Sequence, residues 1–358
     1  MMKILIVDDS ALMRRYLSEM LGEVVGIHTT TARDGIDALE VIERENPDVV
    51  TLDINMPEMD GLTCLSHIMT RFPRPVVMLS SLTEAGAMAT FEALEMGAVD
   101  YIAKPGGTVS LNIKEIRSQI LIKVRTAYRQ RHLFNKKAVL ASKPVPSVGI
   151  RTSDTHVRGI ISIASSTGGP SALEKVLPFL PANLPLPVVV CQHMPGSFTG
   201  VFAQRLDGRC ALNVVEVNKA MELKAGTIYI GQGDADCMLS LRDGKPYLVT
   251  LPASASFNWH PSASRFLQSV HKYFPAQRTL SAILTGMGDD GSREALKLYQ
   301  AGGITMAERE IDCAVFGMPK ALIELSGAGS VLGINEMSGA IVAGAEKIAK
   351  LGVIETWV

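Results

Sequence analysis

A nucleophile, a base and a group that orients the base are the minimum for covalent acyl transfer, and Ser166, His193 and Asp290 supply those types in one half of the chain. Each follows an apolar run: Ser166 comes after residues 159–164, His193 after 187–191 and Asp290 after 280–284. Side chains leaving three strands at one sheet edge can converge there, which is the geometry a triad requires. Gly168 and Gly169, just after Ser166 at a helix start, allow close backbone approach and leave N–H groups free for a developing oxyanion. Thr167, with its amide, and the Met287 amide are further candidates for that hole. Other readings stay open on spacing alone: a satisfied strand-end histidine, a turn or cap aspartate before Gly291, and a phosphate-binding Ser-Thr-Gly-Gly turn. The serine does not sit in Gly-x-Ser-x-Gly, and the order Ser, His, Asp is not that of α/β-hydrolases, which argues against a generic lipase.

A second set lies in the first third. Asp8 and Asp9 follow one apolar run and Asp53 another, while Ser80 and Lys104 end two more. Three carboxylates at one edge repel one another unless protonated or bound to a metal, and hard oxygen donors suit Mg²⁺. A carboxylate beside that ion can attack a phosphoryl group. Lys104 would neutralise phosphate oxygens and Ser80 would donate a hydrogen bond to them. Singly, each of these residues reads as a helix cap, a solvated acid or a turn.

The elements that must position both sets alternate along the chain. Residues 3–7, 49–52, 76–79 and 101–103 are strand-like, and each ends in one of the polar residues above. Leu12, Met13, Tyr16, Leu17, Met20 and Leu21 recur at helical spacing, and Ile113, Ile116, Ile120 and Val124 mark a closing amphipathic helix. Alternation of this kind predicts an α/β domain, a doubly wound parallel sheet with its ligand site beyond the carboxyl ends of the strands. A basic, proline-containing stretch follows, including Arg129, Arg131, Lys136, Lys137, Lys143 and Pro144, and reads as a solvated connector. The expected division is a first domain over 1–125, a linker over 126–156 and a second domain over 157–354. The second domain alternates again and is expected to be mostly parallel α/β, with an antiparallel hairpin insertion near residues 228 to 251 turning at Arg242-Asp243-Gly244-Lys245.

At 358 residues the chain is long enough for two domains with their own cores, and 47% hydrophobic with 20% charged residues is ordinary for folded protein. A formal net charge of −1 offers no basic excess for nucleic acid. The apolar run at the start meets Asp8 and Asp9 too soon for a signal-peptide core, and no apolar run reaches spanning length, so a cytoplasmic protein is expected. Cys64, Cys191, Cys210, Cys237 and Cys313 are scattered with no metal-ligand spacing and read as reduced, mostly buried thiols.

Val7-Asp8-Asp9-Ser10, Leu52-Asp53-Ile54-Asn55-Met56-Pro57, Asp60-Gly61 and Lys104-Pro105 resemble the receiver domain of bacterial response regulators. The resemblance implies that Asp53 accepts a phosphoryl group and that Asp9, Asp53 and the Asn55 carbonyl hold Mg²⁺, with Asp8 acting through water. It also implies a doubly wound five-stranded parallel sheet and a switch pair formed by Ser80 and Tyr101. In the second half, Ser165-Ser166-Thr167-Gly168-Gly169-Pro170, Gln192-His193-Met194-Pro195, Thr285-Gly286-Met287-Gly288-Asp289-Asp290-Gly291 and Val315-Phe316-Gly317-Met318-Pro319 resemble the chemotaxis protein-glutamate methylesterases. That family implies hydrolysis of glutamate methyl esters on chemoreceptors, releasing methanol, and in many members deamidation of receptor glutamines. Ser166 would attack, His193 would relay the proton and Asp290 would orient the imidazole, with no cofactor for the ester step. Receptors would be the substrates, a chemotaxis histidine kinase the phosphodonor, and membranes would be met only through the receptors. The competing classes are a non-catalytic response regulator and a serine esterase or amidase acting on another protein. Two stretches depart from the family: Ala164-Ser165 stands where Gly-Ala is usual, and Asn258-Trp259-His260-Pro261-Ser262-Ala263-Ser264 stands where an Asn-Arg-His-Arg-Pro-Ser-Val-Asp-like run is usual.

Overall fold

A computed structural model describes residues 1–104, 113–134 and 157–351. The chain divides into two compact units, Met1–Ala141 and Ser142–Val358. No helix among the described residues is long and apolar enough to cross a membrane.

The first unit runs β1 (Met2–Val7), α1 (Ala11–Gly22), β2 (Ile27–Ala32), α2 (Gly35–Glu45), β3 (Val49–Asp53), α3 (Gly61–Arg71), β4 (Val76–Ser80), α4 (Glu84–Glu95), β5 (Asp100–Ala103) and α5 (Ile113–Phe134). Its sheet has the order β2-β1-β3-β4-β5, every pair parallel, as the alternation predicts. All residues of β3 and β4 are buried, as expected of strands covered by helices on both faces. Helix starts are written locally: Ser10, Asp34, Asp60 and Thr83 each accept a hydrogen bond from an amide three residues on. Leu17, Met20 and Leu21 of α1 enter the core, as do Ile120 and Val124 of α5. Leu12, read with the apolar stripe, is 73% exposed, because the packed face runs through Met13, Tyr16 and Leu17 instead. α5 does not stop near residue 125 but carries Arg129 and Arg131 on to Phe134; helix propensity persists through a basic run that reads as a connector. Lys136, Lys137, Lys143 and Pro144 lie outside the described residues, as do Lys-Pro's Pro105 and residues 352–354 of the expected second domain.

The second unit runs β6 (Ile160–Ser165), α6 (Gly169–Val176), β7 (Val188–Gln192), α7 (Gly196–Asp207), β8 (Asn213–Val217), β9 (Met221–Glu222), β10 (Thr227–Gly231), β11 (Ala235–Arg242), β12 (Lys245–Pro252), α8 (Ala263–Tyr273), β13 (Thr279–Ile283), α9 (Ser292–Gln300), β14 (Ile304–Glu308), α10 (Met318–Glu324), β15 (Ser330–Leu332) and α11 (Ile334–Ala349). Seven of these strands form a parallel sheet in the order β15-β14-β13-β6-β7-β10-β8. The antiparallel insertion is smaller than expected at its start. Residues 227–231 pair in parallel with β7 and β8, and the hairpin proper is β11–β12, joined by β9 into a three-stranded sheet. Periodicity alone cannot tell a fully buried parallel strand from a hairpin arm, since both are apolar runs of similar length.

Strands β6, β7 and β13 are buried throughout. The chain enters at β6, builds outward through β7, then returns to the other side at β13, so the strand order reverses beside β6. Beyond the carboxyl ends at such a reversal a crevice opens. Helix α8 packs Phe266, Leu267 and Val270 into the core, all with no exposure. At about 1.5–3 kcal/mol for each fully buried side chain, this anchors the helix whose first turn bears on the site below.

Candidate functional site

Ser166 directly follows β6, His193 directly follows β7, and Asp290 lies in the loop after β13, so the crevice beside β6 collects all three. Parallel register brings the ends together: Ser165 pairs with Gln192, the His193 amide donates to Ser165 O (3.0 Å), and the Ser166 amide donates to Thr285 O (3.0 Å). Gln192 locks the two strand ends. Its Oε1 accepts from Ser165 Oγ (2.7 Å), while its Nε2 donates to Ser166 O and His193 O (both 2.9 Å). The extra hydroxyl at position 165 is therefore a buried structural clamp.

His193 Nε2 and Asp290 Oδ2 are 2.9 Å apart, and both side chains are nearly buried. Nε2 is thus the nitrogen given to the carboxylate. Nδ1 is buried without a hydrogen-bond partner, and no hydrogen bond between Ser166 Oγ and His193 forms among the described residues. Such bonds are commonly long in ligand-free sites and tighten around substrate.

Asp290 itself is held on four sides. Oδ2 also accepts from Ala263 N (2.7 Å), and Oδ1 accepts from Ser262 Oγ and Ser264 N (both 3.0 Å). Ala263 and Ser264 open α8, so the carboxylate satisfies amides that a helix start leaves unpaired and meets the positive end of its dipole. Burial by itself would raise the Asp290 pKa, but the His193 bond and charge and the bonds from Ser264 outweigh it and hold the acid at about 2. The sequence offers no hint of the Ser262–Ser264 contribution except the Ser-x-Ser helix start.

The loop of the expected oxyanion hole lies against Ser166. A Cβ on Gly286 would stand 2.8 Å from Ser166 Cβ, so only glycine lets residues 285–287 approach this closely. Gly168 takes φ +76° and serves as the N-cap of α6. The Thr167 and Met287 amides donate to no acceptor among the described residues, as donors reserved for a ligand would. Beneath this loop is a group the motifs miss. Glu308, last residue of β14, is 1% exposed; its Oε2 accepts from Thr285 N (2.7 Å) and its Oε1 has no hydrogen-bond partner. Burial drives its pKa up to about 7, opposed by the Thr285 amide, with Asp312 adding to the rise. An acid at the end of an apolar run marks Asp53, and the same signal marks Glu308.

The Trp259 stretch, where the sequence departs from the methylesterase pattern, borders the site. The Trp259 and His193 rings stack with centroids 5.7 Å apart and planes 10° from parallel. His260 Nδ1 lies 2.9 Å from Asp236 Oδ1, a carboxylate with no exposure. Asp236 also accepts from Ser262 N, Ser254 N and Arg265 Nη1. Burial opposes ionisation there, and these bonds, His260 first, still leave its pKa below the ordinary value.

In the first unit the acidic set assembles at the β1–β3 reversal of strand order. Asp8, Asp9 and Asp53 offer carboxylate oxygens within 4.8 Å of one another. Lys104 Nζ reaches Asp8 Oδ2 (2.8 Å) and Asp53 Oδ2 (2.7 Å). Burial raises the Asp53 pKa, with Asp8 adding to it and Lys104 opposing. Burial would lower Lys104, but its two carboxylate partners keep it above the ordinary lysine value. Asn55 is exposed in the loop after β3, and Gly61 passes so close to Asp53 O that any side chain there would collide. Ser80 is fully buried and donates to Gly86 O (3.0 Å), a bond it must leave to serve a phosphoryl oxygen. Tyr101 is 5% exposed, with Lys123 Nζ 4.8 Å from its ring centroid. All five cysteines are free thiols, three of them buried.

Comparison with known proteins identifies the family of both units. Residues 161–341 match the CheB methylesterase family, and residues 4–114 match the response regulator receiver domain. A protein-glutamate methylesterase/protein-glutamine glutaminase of Rhodospirillum rubrum is 47% identical over 355 residues, covering 96% of each chain. One of Vibrio cholerae is 45% identical over 327 residues, covering 90% of this chain and 91% of its own. Among solved structures, the Thermotoga maritima CheB methylesterase catalytic domain covers 52% of this chain and 97% of its own, with 38% identity and a TM-score of 0.50. A receiver sheet carrying an acid–lysine pocket, joined to a parallel sheet carrying Ser166 beside a His193–Asp290 pair, and likeness over nearly the whole length, place this chain in the CheB methylesterase family.

Proposed function

We propose that the chain is a phosphorylation-regulated protein-glutamate methylesterase, hydrolysing glutamate methyl esters on chemoreceptors to glutamate and methanol. The observation that carries this reading is the His193–Asp290 pair at 2.9 Å in the crevice that also holds Ser166. Ser166 Oγ attacks the ester carbonyl and gives its proton to His193 Nδ1, while Asp290 stabilises the imidazolium through Nε2. The amides of Thr167 and Met287 receive the negative charge that develops on the carbonyl oxygen. His193 then protonates the departing methoxide, and methanol leaves an acyl-Ser166 intermediate. Water, deprotonated by His193, attacks that acyl group and releases glutamate. A glutamine side chain presents the same carbonyl with ammonia as leaving group, so deamidation would use the same residues. The R. rubrum and V. cholerae relatives carry both activities in their names.

Control resides in the first unit. Asp53 is the phosphoacceptor, Lys104 binds the phosphoryl oxygens, and Ser80 and Tyr101 change position in response. The three carboxylates within 4.8 Å are a donor set that fits Mg²⁺, held by Asp9, Asp53 and the Asn55 carbonyl, with Asp8 through water. Bound there, the ion would offset the charge between acid and phosphodonor. In the unphosphorylated state the receiver restrains the esterase. The phosphodonor is a histidine kinase of the same pathway.

Methanol release from methylated receptor membranes tests the reading, with wild type, Ser166→Ala and Asp53→Asn compared with and without a small phosphodonor and Mg²⁺. Ser166→Ala should release none, and Asp53→Asn should ignore the donor. Release that survives Ser166→Ala removes the triad, and stimulation that survives Asp53→Asn removes the phosphoacceptor.

A further inference from the structure

The His193–Asp290 bond fixes where Nε2 stands, but one hydrogen bond does not fix the plane of a ring. Rocking about the Cβ–Cγ bond would swing Nδ1 out of line with Ser166 while stretching the Nε2 contact only slightly. A flat neighbour supplies the missing restraint. Trp259 lies nearly parallel to the His193 imidazole, 5.7 Å between centroids and 10° between planes, an offset stack within the range in which aromatic pairs attract.

The segment that carries that indole is anchored. Asp236, with no exposure, binds Ser254 N before Trp259, and His260 Nδ1 and Ser262 N after it, so the segment carrying the indole is tied to β11 at both ends. Gly288 leaves room for the indole: a Cβ there would stand 3.2 Å from Trp259 Nε1. The indole therefore bridges the base and the loop that carries the Met287 amide. Its face is also electronegative, and positive charge appears on His193 as the serine proton is transferred.

We propose that Trp259 is a positioning residue of the esterase reaction, its indole holding the His193 ring in the plane that turns Nδ1 toward Ser166 and favouring the imidazolium formed in the transition state. This rests on Ser166 and His193 acting as nucleophile and base. Removing the stack lowers kcat, with KM nearly unchanged, because a base displaced by a fraction of an ångström slows proton transfer without loosening receptor contacts; the expected loss is about 10–100-fold.

Trp357 is the one other tryptophan in the chain, so Trp357→Phe makes Trp259 the sole indole emitter. A protonated imidazole quenches an indole stacked on it. Trp259 emission in that variant should fall as pH is lowered, lose this dependence on His193→Gln and keep it on His260→Gln. Trp259→Phe should retain most of kcat, whereas Trp259→Leu and Trp259→Ala should show the loss. The second-order rate of Ser166 sulfonylation by an aryl sulfonyl fluoride should fall in parallel, and this readout needs no receptor. Emission whose pH dependence survives His193→Gln overturns the proposal. So does Trp259→Leu with wild-type kcat and sulfonylation rate. Sulfonylation that falls in Trp259→Leu while wild type releases no methanol would retire the substrate assignment and support the role of Trp259.

Discussion

Asp290→Asn changes one atom and reaches both stability and catalysis. Two donors meet each carboxylate oxygen: His193 Nε2 and Ala263 N on Oδ2, Ser262 Oγ and Ser264 N on Oδ1. Whichever way the asparagine turns, its NH₂ faces a backbone N–H that needs an acceptor, Ala263 N on one side or Ser264 N on the other. Turned toward His193, it forces Nε2 to accept and Nδ1 to carry the proton, so Nδ1 cannot take one from Ser166. Turned toward Ser262 and Ser264, it unpairs the start of α8. The wild-type acid sits at about 2 against an ordinary 3.8, a preference for the ionised form that stabilises the fold by about 2 kcal/mol at neutral pH. An unpaired buried donor adds roughly 1–3 kcal/mol to the cost of the variant. Because the folded-state value is depressed, the 2 kcal/mol is complete above about pH 4 and is lost as pH falls toward 2. Urea unfolding of the two proteins should therefore show a gap at pH 7 that narrows on acidification. Methanol release should fall by about 10³–10⁴, the loss seen when a triad base is held in the wrong tautomer. A folded Asp290→Asn protein within tenfold of wild type would refute the orienting role, and a stability gap independent of pH would refute the assigned charge state.

Two further substitutions separate structural from chemical roles. Ser165→Ala deprives Gln192 Oε1 of its donor and should cost roughly 1–3 kcal/mol by chemical denaturation while leaving kcat within a few-fold; loss of methanol release comparable to Ser166→Ala would mean the two hydroxyls share the chemistry. Glu308→Gln keeps an acceptor for Thr285 N but removes a buried acid raised from 4.5 to about 7. A raised folded-state value gives stability that is full below about pH 4 and lost as pH rises through 7, so the variant should gain roughly 3 kcal/mol between about pH 4 and pH 9 relative to wild type. Thermal melts at both ends test it, and a parallel pair of pH curves would show that Glu308 does not titrate there.

The legible part of this protein is what repeats along the chain or ends a strand. Alternating apolar runs and helical stripes announce two doubly wound sheets, because parallel strands must be buried on both faces and helices on one. Polar residues at the ends of those runs announce the sites. Asp8, Asp9, Asp53 and Lys104 meet in the described structure, and so do His193 and Asp290. The misreadings have one physical source: local pattern does not state what a segment packs against. Residues 227–231 look like a hairpin arm but join the parallel sheet, and Arg129 and Arg131 look like linker but continue a helix.

Sequence by itself determined the chemistry available: which residues could attack, accept a proton or hold a metal, and on which strand ends they stand. Tertiary structure decided the roles of residues whose partners are distant in the chain. Ser165 is a clamp because Gln192 stands across from it, Trp259 covers His193 because Asp236 ties down its loop, and Nδ1 is the free nitrogen because Asp290 took Nε2. Side-chain identity travels with the chain, but hydrogen-bond partners, burial and the pKa values they set exist only after folding has brought the strands side by side.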